Sequence, residues 1–193
     1  MIEKDKSVFA LFAASSLAGV AFCASHLLNA WLFQAIAISD HISLIYLPAF
    51  FRLFNVLVLG LMWGTLGTAI GGVLLLAWTH DATLSISLLN MCVSAGVAAI
   101  SVVLLQMLLR RRLSITRLND LLLLSVLYAL MNALMHHVLW TLVDPSQLLY
   151  PRQVFEMMLG DLGGAVLGAW LLRLLSRNTA LIKLIRARKN AYR

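Results

Sequence analysis

A few ionisable and amide side chains interrupt the apolar stretches of this 193-residue chain, and any chemistry it performs has to start from them. The candidates are Arg52, Asn55, Asn132, His136, Glu156 and Asp161. Arg52 is a permanent cation with a planar fork of donors that suits a carboxylate, a phosphate or another small anion. Asp161 can hold that fork in place as its ion-pair partner, and Glu156 supplies a second carboxylate. His136 changes charge between roughly pH 5 and 8, which would make binding pH-sensitive. Asn55 and Asn132 each offer a donor and an acceptor. Asn132 and His136, four apart, share one face of a helix. His137 points elsewhere, and one of the two histidines is expected to face the headgroup region. Together the six describe a ligand-binding site for a small polar or anionic molecule, in a polar cavity open to the outer side.

Other chemistries are poorly supplied. His136, Glu156 and Asp161 are metal-ligating types, but no HxxxH or HExxH spacing supports a metal site, so neither a metal nor a cofactor is expected. No GxSxG, Walker, GxGxxG or paired-carboxylate motif stands out, and the chain is read as non-enzymatic. Cys23 and Cys92 both lie in apolar segments, which leaves no CxxC or disulfide framework and reads as a pair of buried thiols.

The elements that must position these residues follow from composition. Hydrophobic residues make up 62% of the chain and charged ones 12%, with a mean hydropathy of +0.92. A soluble domain holds roughly 45–50% apolar and about 25% charged residues, so this surface is not made for water. Crossing the ~30 Å hydrocarbon core takes about 20 apolar residues as a helix. Stretches that meet or approach this run from about Ser7 to Ile36, Ile42 to Trp78, Leu84 to Leu109, Leu121 to Leu142 and Val154 to Leu175. The second is long enough for two short spans and divides near Gly60-Leu61-Met62-Trp63-Gly64, where two glycines permit a tight turn. Continuous apolar runs exclude a β-barrel, whose strands alternate. The fold class is therefore all-α: a polytopic integral membrane protein with a bundle of about six transmembrane helices over 1–176 and a basic cytoplasmic tail over 177–193.

A net charge of +7 would suggest nucleic acid in a soluble protein. Here every lysine and arginine except Arg52 and Arg152 falls on one side of a six-span layout, opposite Asp40, His41, His80, Asp81 and Asp144. The positive-inside rule then puts both termini in the cytoplasm, and no nucleic-acid partner is expected. The N-terminal run from Lys4 and Lys6 into Ser7–Phe12 reads as an uncleaved first helix. Arg52 and Asp161 come out at similar depths, roughly 10–12 Å from the outer ends of their helices. Gly60 and Gly64, Gly67 and Gly71, and Gly160, Gly164 and Gly168 recur every fourth residue, a spacing that lets helix backbones approach in lipid. It places the third and sixth helices centrally, or else forms a self-association face.

Two segments resemble the membrane-associated sensor domains, of the MASE type, that precede bacterial diguanylate cyclases and histidine kinases. Ile45-Tyr46-Leu47-Pro48-Ala49-Phe50-Phe51-Arg52, continuing to Gly60 and Gly71-Gly72, is similar to that family's proline-led helix and glycine-bearing turn. Leu159-Gly160-Asp161-Leu162-Gly163-Gly164 resembles its Gly-Asp-x-x-Gly element. Those sensors usually have more helices and a fused signalling output. The resemblance implies a stand-alone sensory or ligand-binding membrane module that acts through a separate signalling partner. In architecture the chain also resembles the substrate-binding subunits of energy-coupling-factor transporters, which implies a transporter partner instead. A structural or assembly role, with buried polar groups only fixing helix register, is the third class.

Overall fold

The computed structural model of the chain describes residues 2–39, 42–78, 84–113, 117–143 and 150–178. Among these residues the apolar stretches form six α-helices: α1 (Ile2–Leu32), α2 (Pro48–Leu59), α3 (Leu61–Leu76), α4 (Leu84–Leu109), α5 (Leu118–Val143) and α6 (Pro151–Asn178). Between α1 and α2 a single 3-10 turn, Gln34–Ile36, leads into two short antiparallel strands, β1 (Ala37–Ser39) and β2 (Ile42–Ser43). α1 therefore stops at Leu32, four residues before the expected end at Ile36. Asp40, His41, His80, Asp81, Asp144 and most of the expected tail, 179–193, lie outside the described residues.

Four of the helices (α1, α4, α5 and α6) are long and apolar enough to cross a membrane. Their surfaces match that solvent. Phe9, Trp31 and Leu142 are 74%, 75% and 76% exposed, while Ser15, Thr68, Ser101, Asn132 and Asp161 are buried. An apolar exterior with polar side chains kept inside the bundle calls for lipid outside. Cys23 is buried as expected, but Cys92 is exposed on the outer surface of α4.

The two remaining helices form a hairpin. α2 ends at Gly60, whose φ of +84° is cheap only for glycine, and α3 begins at the next residue. The break is thus at Gly60 alone. Gly64 sits inside α3, where a Cβ would strike the Asn55 and Val56 backbone of α2. With 12 and 16 residues, the two helices are ~18 and ~24 Å long, short of the ~30 Å core. α2 starts deep because the chain before it is folded into the bundle: Ser43, Tyr46 and Phe50 lie in turn against Gly160, Gly164 and Gly168 of α6. At the other end Leu61 shares an apolar groove with Val103 and Met107, near the end of α4.

Neighbouring contacts fix the direction of each helix. Ser15 donates to the Trp63 carbonyl, and Gly19 abuts Gly67 and Gly71, so α1 and α3 run parallel. Arg52 over Phe22 and Leu47 against Asn29 make α2 antiparallel to α1. Asn90 with Trp140 and Ser101 with Met131 make α4 and α5 antiparallel, as do Asn132 with Asp161 and His137 with the Gln153 backbone for α5 and α6. The helix in the middle is α2, which packs on α1, α3, α4 and α6. Its Ala49, Leu53 and Val56 join Val97, Ala98 and Val102 of α4, Leu124 and Tyr128 of α5, and Ala165 of α6 in the apolar core. The glycines of α3 and α6 mark close approach to neighbours, not the centre.

Past α4, Arg110 adopts a φ of 51° and turns the chain, so that Arg111 meets the buried Asp120 at the start of α5 through two hydrogen bonds, one of 2.7 Å. The bond to Asp120 raises the pKa of the Arg111 guanidinium. This clamp ties the basic loop to the bundle.

Candidate functional site

α5 carries a stripe of every fourth residue, Leu124, Tyr128, Asn132 and His136, all buried and so all on one face. Two successive turns of that stripe hold the two interior charges. Arg52, in the second turn of α2, donates through Nη1 to the Tyr128 hydroxyl at 2.9 Å and through Nη2 to the Tyr46 hydroxyl at 3.1 Å. Its guanidinium stands 5.4 Å from the Phe22 ring and 5.2 Å from the Tyr46 ring, an attraction between cation and π-face that partly replaces water. The Tyr46 hydroxyl lies 3.0 Å from Nδ1 of His26 on α1. One turn further along α5, Asn132 Nδ2 donates to the Asp161 carboxylate at 2.7 Å.

The expected ion pair between Arg52 and Asp161 is not formed. No contact within 4 Å joins them, and the ion pairs among the described residues are Arg111–Asp120 and Arg152–Glu156. The physical reason is α5, which engages each charge separately. Arg52 is 5% exposed, Asn132 0% and Asp161 1%, so a cation and a carboxylate sit in one interior without neutralising each other directly. The buried Nε of Arg52 and the buried Oδ1 of Asn132 have no hydrogen-bond partner. Buried polar atoms of that kind are few in a folded protein and need a reason.

The cluster lies deeper than the sequence suggested. Phe22 is ten residues before the end of α1, Asn132 eleven before the end of α5 and Asp161 ten after the start of α6. At 1.5 Å per residue all three are ~15–17 Å along their helices from that end, a distance equal to half of a ~30 Å core.

The glycines flanking Asp161 explain how Tyr46 gets there. Gly160 and Gly164 leave a channel along α6 for residues 43–47, where any Cβ would strike the Ser43 or Tyr46 carbonyl. The Tyr46 amide donates to the Gly160 carbonyl at 2.9 Å, and the Leu47 amide to Asn29 Oδ1 at 2.8 Å. Non-helical backbone at this depth is tolerated because protein surrounds it. Pro48 then opens α2, where its missing amide hydrogen costs nothing.

The other expected site residues are elsewhere. His136 faces α4, with Nε2 3.2 Å from Ser94 Oγ and Nδ1 3.3 Å from Asn90 Oδ1, which also accepts from Trp140 Nε1 at 2.8 Å. His137 is buried as well, contrary to the expectation that one histidine would face headgroups. α5 lies between α4 and α6, so adjacent residues are both covered. Asn55 donates to Thr68 Oγ1 at 3.4 Å within the α2–α3 hairpin. Glu156 is held by Arg152, one turn earlier on the same helix, at 2.7 Å. No group of three His, Cys, Asp or Glu converges among the described residues.

Of the six, then, Arg52, Asn132 and Asp161 belong to one cluster, and Asn55, His136 and Glu156 to three others. Tyr46, Tyr128, Phe22 and His26 complete the cluster and were not singled out from sequence. Tyr128 was findable, since it lies four residues before Asn132. Comparison with known proteins finds no matching family model, no matching curated protein and no matching solved structure.

Proposed function

We propose that this chain is a multi-pass protein of the bacterial inner membrane that crosses six times, keeps both termini in the cytoplasm and binds a small polar or anionic ligand at the Arg52–Asn132–Asp161 cluster. The protein is non-enzymatic in this reading and passes occupancy to a separate partner. The single observation that carries the binding role is the unpartnered Nε of a buried arginine at the middle of the bundle. Ionisable groups at that depth are costly and are retained at ligand or ion pathways. Non-helical segments that line a midplane site, as 43–47 does beside Arg52, are a recurrent way for membrane proteins to expose binding groups. The alternating helix directions and the basic residues around the α4–α5 connection support the six-span orientation.

Sensing is the leading class, because the segment that carries Tyr46 and Arg52 and the one that carries Asp161 are those similar to the membrane-associated sensors. Substrate binding for a transporter uses the same site and differs only in its partner. A structural role has one observation in its favour, the near-complete burial of Arg52, Asn132 and Asp161.

The test is thermal unfolding of the purified protein in lipid nanodiscs with and without small carboxylates such as acetate. Wild type should show a concentration-dependent rise in midpoint, and Arg52→Leu should insert in the membrane but show none. An undiminished rise in the variant removes Arg52 from the site.

A further inference from the structure

We infer that the ligand of this site is dipolar, a small zwitterion of the amino-acid kind whose anionic end meets Arg52 and whose cationic end meets Asn132 and Asp161. The inference rests on the binding role proposed above and adds the ligand's chemical class. Its basis is the way the interior hydrogen-bonding capacity divides. On the α2 side is a donor pole: Arg52 has five N–H groups, of which the Tyr128 and Tyr46 hydroxyls accept from Nη1 and Nη2 while Nε has no acceptor. On the α6 side is an acceptor pole: the Asp161 carboxylate, with the Asn132 carbonyl oxygen unpartnered beside it.

The poles are adjacent but unjoined. Tyr128 anchors the first and Asn132, one turn later on the same face of α5, the second, and no ion pair closes the gap. A lone anion would satisfy Arg52 Nε and leave Asn132 Oδ1 unpaired next to a carboxylate that repels it. A lone cation would do the reverse. A molecule with both charges supplies an acceptor to Nε and N–H donors to Oδ1 and Asp161, and it brings no net charge to the middle of a membrane, where unbalanced charge is most costly. The residues that cover the cluster from the end where α2 begins are 43–47, tied down by the Tyr46–Gly160 and Leu47–Asn29 hydrogen bonds.

The probes are glycine and β-alanine, whose charges differ in separation by one methylene, with acetate and methylammonium as their single-charge halves. Each is titrated against the full-length protein in nanodiscs and read as the unfolding midpoint. One of the two zwitterions should half-saturate at a concentration roughly tenfold or more below either half, since a lost charge-assisted hydrogen bond is worth at least one tenfold step. Asn132→Ala should weaken the zwitterion's half-saturation by a larger factor than that of acetate, because only the zwitterion donates to the Asn132 carbonyl oxygen. If acetate matches the zwitterions in wild type and its effect vanishes in Arg52→Leu, the dipolar class is wrong and the anion-binding site stands. If every probe acts equally on wild type and Arg52→Leu, or none acts on either, the site itself fails, and with it the inference.

Discussion

At the scale of single residues, the strength of an interaction in this interior depends on what is left behind when it is cut. Asn132 donates to a carboxylate that is 1% exposed, at a short 2.7 Å. Asn132→Leu strands Asp161, and a hydrogen bond to a charged group is worth ~1.5–3 kcal/mol, so stability should fall by about that much. Asn55 makes a longer 3.4 Å bond to a neutral hydroxyl that also donates to the Gly64 carbonyl. Interhelical hydrogen bonds of that neutral kind average ~0.6 kcal/mol, so Asn55→Ala should cost well under half as much as Asn132→Leu. Reversible unfolding of both variants in mixed micelles ranks them. Equal losses would mean that Asp161 is not held as a charged group by Asn132. Tyr128→Phe gives an independent reading, because it removes the acceptor for Arg52 Nη1 and leaves the ring in the core. Its loss should be ~1–3 kcal/mol, with far less expected from replacing an exposed residue such as Leu142.

At the scale of elements, two glycines of similar appearance in the sequence do different work. Gly60 has nothing within 4 Å of where a Cβ would stand, and only its φ of +84° demands glycine. Gly60→Ala should therefore cost ~1–3 kcal/mol, because φ +84° with ψ 171° is a region essentially reserved for glycine. Gly164 has ordinary helical backbone, but a Cβ there would strike the Tyr46 carbonyl and push residues 43–47 off α6. Gly164→Ala should destabilise more than Gly60→Ala and, unlike it, should also weaken ligand binding, because Tyr46 moves with the strap. Unfolding midpoints and ligand titrations on the pair separate the two effects. The helices themselves were legible: continuous apolar length located α4 to the residue and placed the break in 42–78 within the right pentapeptide. The strap was not. Ile42–Leu47 is as apolar as the helices around it, and nothing local says that it follows a glycine channel as a short strand and bends instead of a helix. The site was legible in part for a related reason. Burying Arg52, Asn132 and Asp161 needs compensation wherever they go, so residue type alone flags them. Which partners compensate depends on helix rotation, and that sent Arg52 to Tyr128 instead of Asp161, His136 to α4 and Glu156 to Arg152.

At the scale of the whole molecule, α1, α3 and α5 point one way and α2, α4 and α6 the other, although α2 and α3 are individually too short to cross a full hydrocarbon core. In the proposed six-span layout the hairpin supplies a pair of passages: α2 enters from chain already packed against Gly160 and Gly164, and the turn at Gly60 comes close to the end of α4. An even number of passages before α4 or an odd one leaves α4 to α6 unchanged and moves only the N-terminus, so the basic loop at Arg110–Arg112 orients the later helices without deciding the first. Accessibility to an impermeant thiol reagent in intact cells decides it. On a background with Cys23 and Cys92 replaced by alanine, Tyr150→Cys, at the head of α6, should label from outside, and Arg112→Cys should label only after permeabilisation. Lys4→Cys should behave like Arg112→Cys if the hairpin completes a pair of crossings. Labelling of Lys4→Cys from outside, with Arg112→Cys still protected, would put the N-terminus across the membrane and reduce the α2–α3 hairpin and its approach strap to a single broken passage. The Arg52 cluster would then lie within that passage, still at mid-depth, because its position against Phe22, Asn132 and Asp161 is set by helix packing and not by which side the chain began.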